Sequence, residues 1–499
     1  MSISLVKMAL GANRTLGANM SVDGWAADQE MRADKVDVFR RYVDGDHRAN
    51  LTAEMRNLLR IADAGSLNEF NDNHIDTIVQ TMSDRLRVTA IEGDNTEASA
   101  WSATLLELNR FDGLQIDVHE AAIRDGDTYV LVAWDNEAKR VTLTHEEAWD
   151  GSSGMLAIFD AAKQVQIAVK VWSETTESLA DTVRINVYYA DRVEKYISYG
   201  GANLQALETA EWVMADGSPI GVPVVHVPNK KRDKLGYGQS EIENAIPLQD
   251  ALNRTLYSMV MAAELTAFQV RYSIGTAFPA GITPGMAIEV YAKDEKGKPT
   301  APGAEDVEWF NAIRIGAMEQ GELVPFIEQA RWLKGEMFES TSTPMPGSGS
   351  DSASGESLKQ REIGLIGKCK RFQVRAGNAW ESVMDMAWRV QSAYGVDAPP
   401  DYERFYARWE SAEVRNDTAV IDNALKVADR VGQREFLRLI APVFGWDEQK
   451  IDALLEEQAT EAAGRLAAMS GPLPGFAAAN GGSNGAAVTL PDFSNGLSA

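Results

Sequence analysis

Five histidines, one cysteine and 73 carboxylates are the groups with which this chain could do chemistry, and their placement argues against catalysis. His47, His74, His119, His145 and His226 lie far apart with no pair at i and i+4, so a histidine-built metal site would need ligands from distant segments. Cys369 is the sole cysteine, which leaves no internal disulfide and no thiolate cluster. His145-Glu146-Glu147 begins like a zinc-protease helix, but Trp149 stands where the second histidine is required. No Gly-x-x-x-x-Gly-Lys-Ser/Thr loop occurs. Its nearest fragment, Gly367-Lys368-Cys369, lies in a helical pattern and offers a thiol where a magnesium-binding hydroxyl is needed. Gly481 to Gly485 satisfies Gly-x-Ser-x-Gly within a low-complexity tail that has no strand and helix to strain the serine. Among so many carboxylates close pairs arise by chance, so none is singled out as a general acid and base. No catalytic, metal-binding or cofactor-binding residue is expected. A metal- or nucleotide-dependent enzyme of DNA metabolism, working through scattered carboxylates, is the alternative and has no positive support.

Two basic groups stand out against this acidic background. Lys230, Lys231 and Arg232 precede a helical stretch, and Lys368, Arg371 and Arg375 share one face of a later helix. Contacts between subunits, a solvated face and contact with DNA phosphate all remain open for them. The whole chain of 499 residues carries 48 basic and 73 acidic side chains, a net charge of −25, which argues against a protein that holds DNA by neutralising its phosphates. No stretch of about 18 apolar residues occurs, so no membrane helix is expected. The first residues lack the form of a signal peptide, so the product is expected in the cytoplasm where it is made.

The elements that must position these groups follow from periodicity. A helical pattern from Asp34 to Arg87 places Ile75, Ile78, Val79, Met82 and Leu86 on one face. Period-two runs then predict strands at Thr128–Trp134, Val141–His145, Val165–Trp172, Val183–Tyr189 and Val222–Val227, joined as an antiparallel sheet of mainly neighbouring strands. Ser240 to Glu243 has the form of a capping box, predicting a helix that starts there and is kinked or divided by Pro247. Gly- and Pro-rich residues 275–316 predict a small, partly β subdomain. A further helix begins near Gly321, with a stripe of Leu323, Phe326, Ile327, Ala330, Leu333 and Met337, and stops at Pro344.

Gly347, Ser348, Gly349, Ser350, Asp351, Ser352, Ala353, Ser354 and Gly355 come next, with no apolar side chain larger than alanine, and can form no core. Asp351, the missing lysine and the missing preceding strand exclude a phosphate cradle. The longest helix follows, from about Glu356 to Tyr394, with Leu358, Leu365, Cys369, Phe372, Ala376, Ala379, Val383, Met386 and Val390 on its stripe, roughly 58 Å at about 1.5 Å per residue. Close backbone contacts would explain its Gly364, Gly367 and Gly377. After Asn416 three short helices are predicted around Leu425, Phe436, Leu437, Ile440, Phe444, Ile451 and Leu454. Residues 471–499 have the composition of a disordered tail.

The order of these elements resembles the portal, or head-to-tail connector, proteins of tailed double-stranded DNA bacteriophages. The resemblance is carried by Phe39–His47, Asn73–Gln80, Asp84–Val88 and Arg124–Val132. Its most specific piece is Gly238-Gln-Ser-Glu-Ile242 followed by Leu248-Gln-Asp-Ala-Leu-Asn-Arg-Thr-Leu256, and it continues at Ser354–Lys359. It implies an α+β fold, an elongated subunit with an α/β wing, helical stem, small β-containing clip and helical crown. On this chain the wing covers residues 1–235 and the long helix and following segment at 356–412. The stem is 236–270 and 318–346, the clip 271–317, the crown 413–470 and the tail 471–499. The tunnel loop facing DNA is 347–355.

The resemblance further implies a homo-oligomeric ring, typically of twelve subunits, at one vertex of the virion capsid, with double-stranded DNA in its channel. Terminase, major capsid and scaffold proteins, and head-completion or adaptor proteins are the implied partners, and no catalytic residue is implied. Twelve such subunits would sum to roughly −300, walls from which a duplex slides free. The loop here lacks a large apolar or basic side chain and suits a hydrated, compliant contact better than a clamp.

Overall fold

The computed structural model describes residues 2–11, 15–16, 20–47, 72–176, 179–200, 203–230, 236–267, 271–274, 292–293, 299–300, 314–317, 323–345, 355–413, 421, 424–428, 430–444, 446 and 448–469. The chain divides into two compact units, Met1–Glu413 and Val414–Ala499.

The first unit opens with α1 (Ser2–Leu10), the short pair β1 (Thr15–Leu16) and β2 (Met20–Ser21), and α2 (Val22–Val43). Ser21 caps α2, its hydroxyl accepting from Gly24 N at 3.1 Å. Then come α3 (Ile75–Ser83), β3 (Val88–Gly93), α4 (Thr96–Leu108) and α5 (Phe111–Asp125). Strands β4 (Asp127–Asp135), β5 (Arg140–Glu147), β6 (Gly154–Phe159) and β7 (Val165–Thr176) follow. The run is completed by β8 (Leu179–Tyr188), β9 (Arg192–Tyr199), β10 (Asn203–Glu211) and β11 (Val224–Pro228). They form an antiparallel meander, β10-β9-β8-β7-β6, and a three-stranded sheet, β11-β4-β5.

The predicted strands are present, but β6, β9 and β10 add to them. The reason β6 escapes a period-two reading is physical. Both of its faces are covered: Leu156 and Ile158 pack with Trp25 and Val6 of the N-terminal helices, while Met155, Ala157 and Phe159 pack with Tyr129 and Tyr237. A strand buried on both faces reads as a continuous apolar run and not as an alternation.

Helix α6 (Ile246–Ala267) starts later than the capping box predicts. Residues 240–245 form turns, and Ser240 is buried away from any helix start, its hydroxyl donating to Arg124 O at 2.5 Å. Pro247 is the second residue of the helix, where a missing N–H costs nothing, so it initiates α6 and does not divide it. The short strands β12 (Arg271–Ile274), β13 (Ala292–Lys293), β14 (Pro299–Thr300) and β15 (Arg314–Ala317) pair as β12 with β15 and β13 with β14. The alternating run Met286–Tyr291 lies outside the described residues.

Helix α7 (Val324–Ser340) packs against α6. Its expected stripe is buried only in its second half, at Leu333 and Met337, while Ile327 is exposed and Leu323, Phe326 and Ala330 are half-buried. Helix α8 (Gly355–Tyr394) is one unbroken element of 40 residues. Leu365, Cys369, Phe372, Ala376, Val383 and Val390 are buried along it as the stripe predicts, with Trp380 fully buried beside them. Of Gly364, Gly367 and Gly377, two have the expected cause: a β-carbon at Gly364 would lie 2.9 Å from Ser342 Cβ, and one at Gly377 would lie 3.1 Å from Trp409 Nε1. Gly367 has no such neighbour, meeting only Arg371 at 3.7 Å. Beyond α8, β16 (Phe405–Trp409) pairs antiparallel with β3, joining segments more than 300 residues apart in the chain.

The second unit contains α9 (Gln433–Phe444) and α10 (Glu448–Met469), with a shorter turn of helix at 424–427. Its core is Leu437, Ala441 and Ile451, with Ile440, Trp446, Leu454 and Leu455 packed on it. Leu425 and Phe444, expected in that core, are 57% and 53% exposed.

Candidate functional site

Residues from both sides of the long loop converge where α8 meets the segment leading into α6. That segment is strapped to the end of α5 by its backbone. Gly238 N donates to Asp127 Oδ1 at 2.6 Å, Glu241 N donates to Ile123 O at 3.0 Å, and Ile242 N donates to Ser240 Oγ at 3.2 Å. A β-carbon at Gly238 would lie 2.0 Å from Gly126 O, so only glycine allows this approach. The strap delivers Glu241, 4% exposed, against the inner side of α8.

Glu241 is the hub. Its Oε1 accepts from Lys368 Nζ at 3.0 Å, its Oε2 from Lys230 Nζ at 2.7 Å, and Asn229 Nδ2 approaches Oε2 at 3.5 Å. Lys368, 6% exposed, also donates to Thr341 O at 2.5 Å and reaches Thr343 Oγ1 at 3.5 Å. The same ammonium therefore ties α8 to the turn after α7, a few residues before Gly347. Burial alone would raise the Glu241 carboxyl, but Lys368 and Lys230 outweigh it and hold it below the ordinary glutamate value. Burial draws the Lys368 ammonium down from its usual value, opposed by Glu241. Burial pushes the neighbouring Cys369 thiol up to about 11, which keeps it protonated and unreactive.

Lys230, Lys368, Arg371 and Arg375, read as two separate groups in the sequence, thus line one cavity of about 320 Å³ together with Asn229, Glu241 and Met82. Their roles differ. Lys230 and Lys368 have their charge taken up by Glu241. Arg371 is exposed and Arg375 half-buried, and among the described residues neither makes an ion pair or hydrogen bond. Burial lowers the Arg375 pKa, and the like charge of Arg371 one turn away adds to the effect. Arg375 also lines a second groove of about 490 Å³ that runs along α8 past Ser382 to Arg389, with β11 on its other side.

Lys231 and Arg232 lie outside the described residues, as do Gly347, Ser348, Gly349, Ser350, Asp351, Ser352 and Ser354; Gly355 is the first residue of α8. Sequence reading missed Glu241 as an ion-pair centre because it falls inside Ser240 to Glu243, whose capping-box spacing imitates a helix start, and it missed Asn229, Thr341 and Thr343 altogether.

Other candidate chemistry resolves into packing. His145, Glu146 and Glu147 sit on strand β5, not on a helix. His145 Nε2 lies 2.8 Å from Thr128 Oγ1, Glu146 pairs with Lys170 at 2.5 Å, and Glu147 with Arg124 at 2.9 Å. Among the described residues no group of three or more His, Cys, Asp or Glu side chains is arranged to hold a metal ion. No helix among them is long and apolar enough to cross a membrane.

The first unit is thus a body of antiparallel sheets and helices crossed by a 40-residue helix, with an ion-paired knot where that helix meets the segment leading into α6. The chain belongs to the family described as phage portal protein, SPP1 Gp6-like, whose profile matches residues 25–464. It is 29% identical over 248 residues to the portal protein of Mycobacterium phage L5, covering 44% of this chain and 47% of that protein. A second mycobacteriophage portal protein is also 29% identical, over 237 residues and 44% of each chain. The matched part is therefore about half the length of these curated relatives. Among solved structures, a chain from the neck of an empty GTA particle, computed with C6 symmetry, aligns with a TM-score of 0.42 at 11% identity. That alignment covers 88% of this chain and 98% of the other. A chain from the neck of a native GTA particle, computed with C12 symmetry, aligns with a TM-score of 0.38 at 12% identity, over 87% and 97%.

Proposed function

We propose that this chain is the subunit of a portal ring, the DNA channel at one vertex of a phage capsid through which the genome is packaged and ejected. The observation that carries the reading is the family match across residues 25–464, most of the chain. The ring has about twelve copies, surrounds double-stranded DNA, and offers docking surfaces to terminase, to capsid and scaffold proteins, and then to head-completion or adaptor proteins. It is made in the host cytoplasm and ends in the virion. Residues 1–235 and 356–412 are the wing, 236–270 and 318–346 the stem, 271–317 the clip and 413–470 the crown. No residue has a catalytic role in this scheme.

Gly347–Gly355 is the tunnel loop, a hydrated contact whose hydroxyls and Asp351 let the duplex slide. The ion pairs of Glu241 support this placement, because Lys368 pins the turn at Thr341 and gives the loop a fixed foot. Exposed Val324, Ile327 and Trp332 on α7 support assembly, since a stem helix that turns large apolar side chains outward gains by burying them against a neighbour. Negative-stain images of the purified protein test the reading: rings with a central hole are expected, and monomers or dimers under all conditions refute it. Deleting Gly347–Gly355 is expected to leave rings intact while DNA packaging or retention falls. Loss of assembly would show instead that the loop is structural.

A further inference from the structure

The knot around Glu241 leaves an imbalance in the cavity that it shares with Arg371 and Arg375 of α8. Arg371 and Arg375 stand one turn apart with no ion pair or hydrogen bond among the described residues, Glu241 acting on Arg375 only from a distance across the shared cavity, and Arg375 Nε is buried without a partner. Such a pair is costly as it stands, because like charges at i and i+4 repel and a desolvated guanidinium lacks its acceptor. We infer that this face of α8 is the receiving half of a contact between successive copies of the chain, in which carboxylates of the next copy fill the sites beside Arg371 and Arg375. The inference rests on the ring proposed above and names residues that close it.

Two observations favour a second copy over a DNA backbone. The first is composition: with 73 acidic against 48 basic side chains, the surface that the next copy presents is rich in carboxylates. The second is the border of the site. Ile363 and Val374 lie on the same side of α8 as Arg371, at three- and four-residue spacing through Gly367, and are 64% and 66% exposed. A protein surface can cover them, whereas a phosphodiester backbone offers nothing apolar. Guanidinium groups suit the role, since their planar donor fork binds a carboxylate through two parallel bonds. A ring contact is heterologous, so a basic groove on one copy meets a different, acidic patch on the next.

The test compares wild type with Arg371→Glu/Arg375→Glu, Arg371→Gln/Arg375→Gln and Arg371→Lys/Arg375→Lys. Sedimentation velocity and negative-stain imaging count rings, and fluorescence anisotropy with a short DNA duplex measures phosphate binding. The glutamate pair is expected to lower the ring fraction at fixed concentration by at least about tenfold, the glutamine pair less and the lysine pair least. Far-UV circular dichroism is expected to match wild type, and if the glutamate pair fails to fold the glutamine pair, which adds no charge, decides alone. Unchanged rings in the folded variants overturn the inference. Unchanged rings with weakened DNA binding overturn it in favour of a phosphate site. A wild-type protein that forms no ring overturns the portal reading itself and this inference with it, so the two failures are distinguishable.

Discussion

Lowering the pH should loosen the docking of α8 through one residue, His119. Its ring has no exposed surface. Nδ1 lies 2.9 Å from Leu86 O, and Nε2 accepts the Trp380 indole N–H at 3.0 Å, so only the neutral ring protonated at Nδ1 satisfies both neighbours. Trp409 stacks on it at 5.3 Å and Phe372 meets it edge-on at 5.5 Å. Burial pushes its pKa from 6.5 down to about 4. The unfolded chain therefore takes up this proton at a higher pH than the folded one. The stability contributed by the neutral ring is whole above pH 6.5 and is lost as pH falls toward 4. At about 1.36 kcal/mol per unit, the full shift is worth roughly 3 kcal/mol, of which about 2 kcal/mol is gone by pH 5. Urea unfolding followed by tryptophan fluorescence, at pH 7.5 and pH 5, in wild type and His119→Gln, isolates the effect because all other titrations cancel. Wild type should lose about 2 kcal/mol more than the variant between the two pH values. Equal losses in both proteins would refute the assignment of a buried neutral imidazole.

Two further outcomes follow from the knot and its strap. Glu241→Gln removes the counter-charge of two ammonium groups and leaves one carbonyl oxygen between them, so that Lys368 stays buried without a charge partner, which should cost about 3 kcal/mol in urea unfolding. Because its partners depress the Glu241 pKa, wild type should keep this stability above the ordinary glutamate value and lose it as pH falls below, a slope the variant should lack. Gly238→Ala forces a methyl group against Gly126 O and should destabilise by about 2 kcal/mol or more, whereas Gly367→Ala, which meets only the end of Arg371, should be neutral or slightly stabilising. Equal unfolding midpoints for the two alanine variants would sink that distinction.

Much of the architecture was legible along the chain because its causes are local. The apolar stripe from Leu365 to Val390 has helical spacing over many turns, and no short-range signal competes with it, so α8 is visible without coordinates. The hairpin of β4 and β5 is marked by alternation and by the turn at Asp135 and Asn136. Strand β6 was hidden because burial on both faces erases alternation, and the start of α6 was misplaced because Ser240 and Glu243 have capping-box spacing in a segment that tertiary bonds hold as turns. Chemistry divides the same way. Composition and spacing alone removed a disulfide, a thiolate cluster and a phosphate loop, since each needs residue types at set intervals.

What the sequence could not decide is which charges are spent and which are free. Lys230, Lys368, Arg371 and Arg375 are equal on paper. Only the fold brings Glu241, more than a hundred residues from Lys368, to within 3.0 Å of it and leaves the two arginines without an ion pair among the described residues. Coulombic partnership depends on distance in space and on exclusion of water, and neither is a property of position along a chain.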